Sequence, residues 1–239
     1  MSRPTPDPSA APKARPLPAS TAFAPLHAIV PLRTLAGGKA RLGGALDAEE
    51  REELVLGMLR RTLAVLAGWS PAARLIVVSP DVKLLAGLQR RGITAVRQHG
   101  EGLNEGLQLA RDAAIKAGAR AILIVPADLP HLDTDGLDRL LDAADAAHAA
   151  SGGGPLVVVA PSDARQGTNA LLLSPPAVIE PAFGAASFEA HVRSAALAGA
   201  AVQVVAEASL GFDLDTPEDL ELLSPVELSA LMQLGRAAA

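Results

Sequence analysis

Residues 121–130, AILIVPADLP, constrain the fold of this chain more than any other stretch. The run 121–125 is almost wholly apolar, with Ile122, Ile124 and Val125 in it. It predicts a strand buried on both faces, as at the centre of a parallel sheet. Pro126 cannot donate to a ladder and ends the strand. Asp128 then emerges just past the carboxyl end, in a tight turn closed by Pro130. Ligands of open α/β sheets bind at that edge, and a carboxylate fixed there suits a divalent cation. A plainer reading stands beside it: a turn aspartate that caps a helix starting near Asp133.

The segments on either side fit a parallel sheet. Order is expected from residues 27–31, a first short strand, followed by a glycine-rich basic loop, LRTLAGGKARLGG, at 32–44. Asp47 with Glu50 forms a variant capping box, and Val55, Met58, Leu59, Thr62, Leu63 and Leu66 trace an apolar stripe at helical spacing. Strands are predicted at 75–78 and 93–96, with a helix over about 81–91 between them that Gly92 closes. A helix carrying Leu103, Leu107, Ala110 and Ala114 on one face leads into 121–125. Strand and helix alternate four times, which implies a parallel sheet with right-handed crossovers. The rhythm then changes. A strand at 155–160 is followed so closely by one at 168–173 that no helix fits between them, so an antiparallel excursion is predicted. A helix over about 186–198, a strand at 202–205 and a helix opened by Thr216, Pro217 and Asp219 complete the domain. The expected division is a Pro/Ala-rich tail over 1–24, a domain over 25–224 and a helical extension over 225–239.

Composition closes off several functions. The net charge is −5, from 21 basic and 26 acidic residues, which leaves no basic footprint for nucleic acid and no polybasic membrane patch. The absence of cysteine excludes disulfides and thiolate metal sites. No apolar run reaches the roughly 20 residues a membrane span needs, and the first 20 residues lack a secretory apolar core, so a soluble cytoplasmic protein is expected.

Familiar nucleotide motifs fail. Gly38-Lys39 is not a Walker loop, because Ala40 stands where Ser or Thr is required and Arg33 where the first Gly belongs. Gly100-x-Gly102 is not a dinucleotide fingerprint, since Glu105 takes the third glycine position. What remains is a basic loop whose amides, Lys39 and Arg41 can cradle phosphates, or which is simply solvated. Asp213 and Asp215 alternate along an extended segment and so point to one side, as ligands of a hard cation must. The plainer alternative is solvation around the helix cap at Thr216. His131, His148 and His191 show no zinc spacing, and no Ser-His-Asp arrangement is visible.

Taken together, IVPLRTLAGGKARL (29–42), GLN (102–104), PADLP (126–130), GTNALLLSPP (167–176), FGAASFEAH (183–191) and GFDLDTPEDL (211–220) resemble the guanylyltransferases that make the activated phospho-carboxylate precursor of coenzyme F420. The resemblance covers roughly residues 27–222. It implies a three-layer α/β/α, Rossmann-like nucleotidyltransferase fold, and transfer of GMP from GTP to phosphoenolpyruvate, 2-phospho-L-lactate or 3-phospho-D-glycerate. Phosphoenolpyruvate is the favoured acceptor. By residue, it implies Asp128, Asp213 and Asp215 as ligands of one or two Mg²⁺ ions. Thr168, Gly184 and Ser187 would bind the acceptor. Lys39, Arg41 and Arg33 would meet the nucleotide phosphates, with Arg33 where a Lys is expected. Gly102 and Asn104 would be further nucleotide contacts, and Lys39 and Asp128 the catalytic pair. It also implies a product passed to a downstream transferase, and it is compatible with a homodimer. Rival readings are a sugar-phosphate nucleotidyltransferase, a glycosyltransferase and a non-catalytic nucleotide-binding partner.

Overall fold

A computed structural model describes residues 22–35, 38–69, 74–100, 102–163 and 166–237. Most of the tail expected over 1–24 lies outside these residues, as do Glu101 and residues 238–239. Phe23 is buried, with its ring tilted against that of His148 at 5.4 Å.

Seven strands form one sheet in the order β3-β2-β1-β4-β6-β5-β7. They are β1 (Leu26–Pro31), β2 (Arg74–Ser79), β3 (Thr94–Arg97), β4 (Ala121–Ile124), β5 (Leu156–Pro161), β6 (Thr168–Ser174) and β7 (Ala201–Val204). All neighbours pair in parallel except β6, which runs antiparallel to both β4 and β5. The six-residue spacing after β5 allows only a hairpin. Its ends are tied by the Ser162 amide on the Gly167 carbonyl at 3.1 Å and by the Gly167 amide on Ser162 Oγ at 3.1 Å. Because β6 is reversed, its first residues rather than its last reach the edge where β4 ends. That reversal brings Thr168 and Asn169 to the sheet edge from which Asp128 emerges.

Alternate residues of the central strands feed two cores. Ala28, Val30, Leu123 and Val158 face one core; Ile29, Ile122, Ile124 and Val157 face the other. The first is covered by α1 (Ala48–Trp69), α2 (Val82–Gln89) and α4 (Thr134–Ala150), and the second by α3 (Leu103–Lys116) and α5 (Ser187–Leu197). This is the mostly parallel sheet with one antiparallel strand that the pattern predicts, in the three-layer α/β arrangement that the resemblance implies. The caps form as read: Asp47 and Glu50 bond each other's amides at 2.9 Å, and Thr216 and Asp219 make a reciprocal box. Within the first loop, residues Ala40–Gly44 coil into a 3₁₀ helix anchored by buried Leu42, which the glycine content had disguised.

After α6 (Ala208–Gly211) and α7 (Pro217–Leu222), the chain ends in α8 (Pro225–Arg236), which packs across α1. The crossing works because glycines face backbone there: a Cβ on Gly57 would collide with the Leu231 carbonyl, and one on Gly235 with that of Glu53. Gly57→Ala is therefore expected to lower stability by about 1–3 kcal/mol, the usual cost of overpacking. The substitution is remote from the sheet edge, so KM values should hold. Denaturant unfolding with unchanged stability would show that α8 docks more loosely than described. Among the described residues, no helix is long and apolar enough to cross a membrane.

Candidate active site

Asp128 follows β4 in a turn held by two buried leucines, Leu129 and Leu132, and the Leu132 amide bonds the Leu129 carbonyl at 3.2 Å. It is not a helix cap. Asp133 fills that role for α4, accepting the Gly136 amide at 2.7 Å. The Asp128 carbonyl instead accepts the Leu214 amide at 3.0 Å, which stitches two segments 86 positions apart in the chain into one ledge. Leu214 is fully buried, and Asp213 and Asp215 flank it with their side chains half-exposed on the other side. The alternation expected of an extended segment is present. Capping of α7 is done by Thr216 and Asp219; Asp219 also accepts the Asp215 amide at 2.9 Å.

Lys39 reaches this ledge from the first loop. Its Nζ lies 2.7 Å from Asp128 Oδ2 and also contacts Asp215 Oδ1. Two oxygens bonded to one nitrogen lie within about 6 Å of each other, so the carboxylates converge. Lys39 itself sits in the left-handed region, with φ 51° and ψ 45°. For a residue with a Cβ, such a conformation costs on the order of 1–3 kcal/mol and is retained where surrounding contacts fix it. Burial opposes the charge on Lys39, but Asp128 and then Asp215 outweigh it and hold its pKa above the ordinary lysine value. For Asp213, burial and then repulsion from Asp128 and Asp215 raise the pKa, against the opposing pull of Asn169 and Lys39.

The three carboxylates thus form a self-repelling group that a hard, multiply charged cation would relieve. Among the described residues they do not close into a ready-made cage, because the Lys39 ammonium stands between two of them. The donor chemistry fits such an ion; the present balance of charge is kept by Lys39. Arg33 and Arg41 are exposed on the same loop and are not drawn into the ledge. A cavity of about 1160 Å³ lies elsewhere among the described residues, lined by Leu59 and Leu63 of α1 and by Leu84 and Leu88 of α2. It holds none of these carboxylates, and size is a poorer guide here than charge.

A second group of residues assembles at the same edge. Thr168 Oγ1 lies 3.0 Å from His191 Nδ1, and the Ala182 amide donates to His191 Nε2 at 2.9 Å. Thr168, Ser187 and His191 are all buried. Gly184 has φ +132°, a backbone setting that favours glycine. Asn104, expected on the nucleotide, is occupied differently. Its Nδ2 donates to the Phe183 carbonyl at 2.9 Å and its Oδ1 accepts the Phe183 amide at 2.8 Å, so it holds the loop before α5. Gly102 caps α3, and its carbonyl accepts Gln98 Nε2 at 2.6 Å. Asn169, which sequence reasoning passed over, donates to the Gly211 carbonyl at 2.9 Å and approaches Asp213 Oδ1 at 3.5 Å. It ties β6 to the acidic ledge. Only its place next to Thr168 in the GTN tripeptide hinted at this.

His191 is held by burial at a pKa of about 4, below the ordinary 6.5. The unfolded chain takes up this proton near pH 6.5 and the folded chain only near pH 4. The stability conferred by the neutral ring is therefore complete above pH 6.5 and is lost as pH falls through that interval. Between pH 7 and pH 4 the protein is expected to lose on the order of 3 kcal/mol more than its His191→Phe variant. Parallel losses in chemical denaturation would show that the ring titrates normally.

Comparison with known proteins agrees with this architecture. The family model described as "Guanylyl transferase CofC like" matches residues 26–224. A phosphoenolpyruvate guanylyltransferase of Rubrobacter xylanophilus is 43% identical over 198 residues, covering 83% of this chain and 93% of that protein. One from Sphaerobacter thermophilus is 43% identical over 197 residues, covering 82% and 91%. Among solved structures, a Methanothermobacter nucleotidyl transferase superposes with a TM-score of 0.58 at 18% identity, over 85% of this chain and 98% of that one. At that identity the likeness speaks for the fold.

Proposed function

The chain belongs to the CofC-like guanylyl transferase family, and from that membership we propose that it transfers GMP from GTP to the phosphate of phosphoenolpyruvate, releasing pyrophosphate. The observation that carries the reading is the meeting of Lys39 with Asp128 and Asp215, beside Asp213. Three carboxylates and one largely covered ammonium at the carboxyl edge of a parallel sheet form a place to bind a polyanion with its counter-cation.

In this reading the acceptor phosphate attacks the α-phosphorus of GTP. One P–O bond forms, and the bond to the pyrophosphate oxygen breaks. A phosphomonoester has a second pKa of about 6 and is already largely ionised near neutral pH. No general base is then needed, in keeping with a site whose one buried histidine is held neutral. The difficulty is repulsion between two anions. Nucleotidyltransferases generally use a divalent metal. Here Asp128, Asp213 and Asp215 would hold one or two Mg²⁺ ions, supplying Lewis-acid polarisation and charge neutralisation. Lys39 adds a positive charge that is already desolvated, and Arg33 and Arg41 add screened charge from the exposed part of the loop. Thr168, Ser187 and the backbone at Gly184 hold the acceptor, on a loop fixed by Asn104. The product, a phospho-carboxylate activated by GMP, suits consumption by a downstream transferase, and the setting we propose is the cytoplasm.

The test offers GTP, Mg²⁺ and an equimolar mixture of phosphoenolpyruvate, 2-phospho-L-lactate and 3-phospho-D-glycerate, with products read by mass. GMP-linked phosphoenolpyruvate should dominate, with equal pyrophosphate. Dominance of another acid would reassign the acceptor. Absence of pyrophosphate with all three would sink the reaction.

A further inference from the structure

We propose that His191 is a positioning residue that, by donating to the Thr168 hydroxyl, keeps that hydroxyl's own hydrogen available as a donor toward the acceptor anion. This deepens the function proposed above and rests on its placement of Thr168 against the phospho-carboxylate.

The proton bookkeeping follows from two distances. The Ala182 amide lies 2.9 Å from His191 Nε2, and a backbone N–H can only donate. Nε2 is therefore an acceptor and carries no proton. A neutral imidazole has one proton, so it resides on Nδ1. Nδ1 lies 3.0 Å from Thr168 Oγ1, and the Nδ1–H must donate to that oxygen. The hydroxyl accepts from the ring and has its own hydrogen left to give. An unprotonated Nδ1 would take the hydroxyl hydrogen and leave a ligand only lone pairs; with Nδ1 as the donor, that hydrogen stays available to a ligand. Facing a carboxylate or phosphate, that available hydrogen makes a charge-assisted bond and avoids lone-pair repulsion.

Burial keeps the arrangement in one protonation state. His191 is fully buried, its ring meets Phe183 edge-on at 5.1 Å, and its pKa of about 4 leaves it neutral at working pH. The ring thus helps an anion bind by directing a neutral hydroxyl rather than by supplying charge. It also anchors the loop through Ala182, next to the Phe183 backbone held by Asn104. The two duties of the ring use different nitrogens, so substitutions can separate them.

His191→Asn places an amide nitrogen near the Nδ1 position, preserving the donor to Thr168 while dropping the bond to Ala182. His191→Gln extends to the Nε2 position, preserving the bond to Ala182 while losing the donor. KM for phosphoenolpyruvate should rise about tenfold in His191→Gln, the upper end of what one neutral hydrogen bond contributes. It should stay within about threefold in His191→Asn, and KM for GTP should hold in both. The opposite ranking, or equal effects on both substrates, would overturn the proposal and leave the ring as a loop anchor. Thr168→Val separates the two levels. If it leaves KM for phosphoenolpyruvate unchanged, the acceptor reading fails and the inference goes with it. If it raises that KM while His191→Gln does not, the inference fails alone. A readout independent of activity is ¹⁵N NMR of labelled histidine in the unliganded protein at pH 7. His191 should show the Nδ1–H tautomer; the Nε2–H tautomer or an imidazolium would refute the proton placement.

Discussion

Asp128→Asn is expected to lower kcat/KM by at least about a thousandfold, with the protein still folded. Removing one preorganised charge from a site that neutralises a reacting phosphate typically costs several kcal/mol of transition-state stabilisation. The amide keeps the shape of the side chain. The turn around it does not depend on the carboxylate, because the Asp128 backbone carbonyl holds Leu214 and buried Leu129 and Leu132 anchor the flanks. Lys39 would retain Asp215 as its partner. Steady-state kinetics beside a thermal melt checks both halves. A folded variant within tenfold of the parent would remove Asp128 from the chemistry.

Asp213→Asn should move stability and activity in opposite directions. Burial, then Asp128 and Asp215, raise the pKa of Asp213 in the folded chain. The folded state therefore holds this proton more tightly than the unfolded state. The stability so conferred is present below the ordinary carboxyl pKa and is lost as pH rises through the raised one. At neutral pH the ionised carboxylate is a net cost to the metal-free fold. The amide removes that charge and still offers an oxygen to the Asn169 side chain, which lies 3.5 Å from Asp213 Oδ1. In the absence of metal the Tm should rise by roughly 2–4 °C, the shift that about 1 kcal/mol produces in a domain of this size. Turnover should fall by about a hundredfold or more, as for loss of one group that stabilises transition-state charge. A variant that is both less stable and fully active would contradict the picture of a self-repelling cluster. Sites of this kind hold strain that the bound state relieves.

Much of this architecture can be read locally. The strand at β4 follows from an unbroken apolar run stopped by Pro126, and Asp128 inherits its place from that stop. The capping residues of α1 and α7 are contiguous patterns, and the hairpin before β6 follows from a spacing too short for a helix. Other features arise only when distant segments meet. Nothing near Asn169 shows that it will bond Gly211, and nothing near Asn104 shows that it will hold Phe183. His191 carried no zinc spacing, and its tautomer is decided by an amide on a different segment, at Ala182. Lys39 was legible as a cation on a flexible loop, but its left-handed backbone and its grip on two aspartates depend on the 3₁₀ helix that follows. Gly57 and Gly235 look like isolated helix breakers until α8 lies across α1.

The central claim is that Asp128, Asp213 and Asp215 together hold a cation that carries GTP. Calorimetric titration of GTP into the protein, with excess Mg²⁺ and separately with a chelator, tests it directly. GTP should bind at least about tenfold more tightly with Mg²⁺, and the combined Asp128→Asn, Asp215→Asn variant should lose that difference. Equal affinity in the two conditions, or a metal effect that survives in the variant, would contradict the claim.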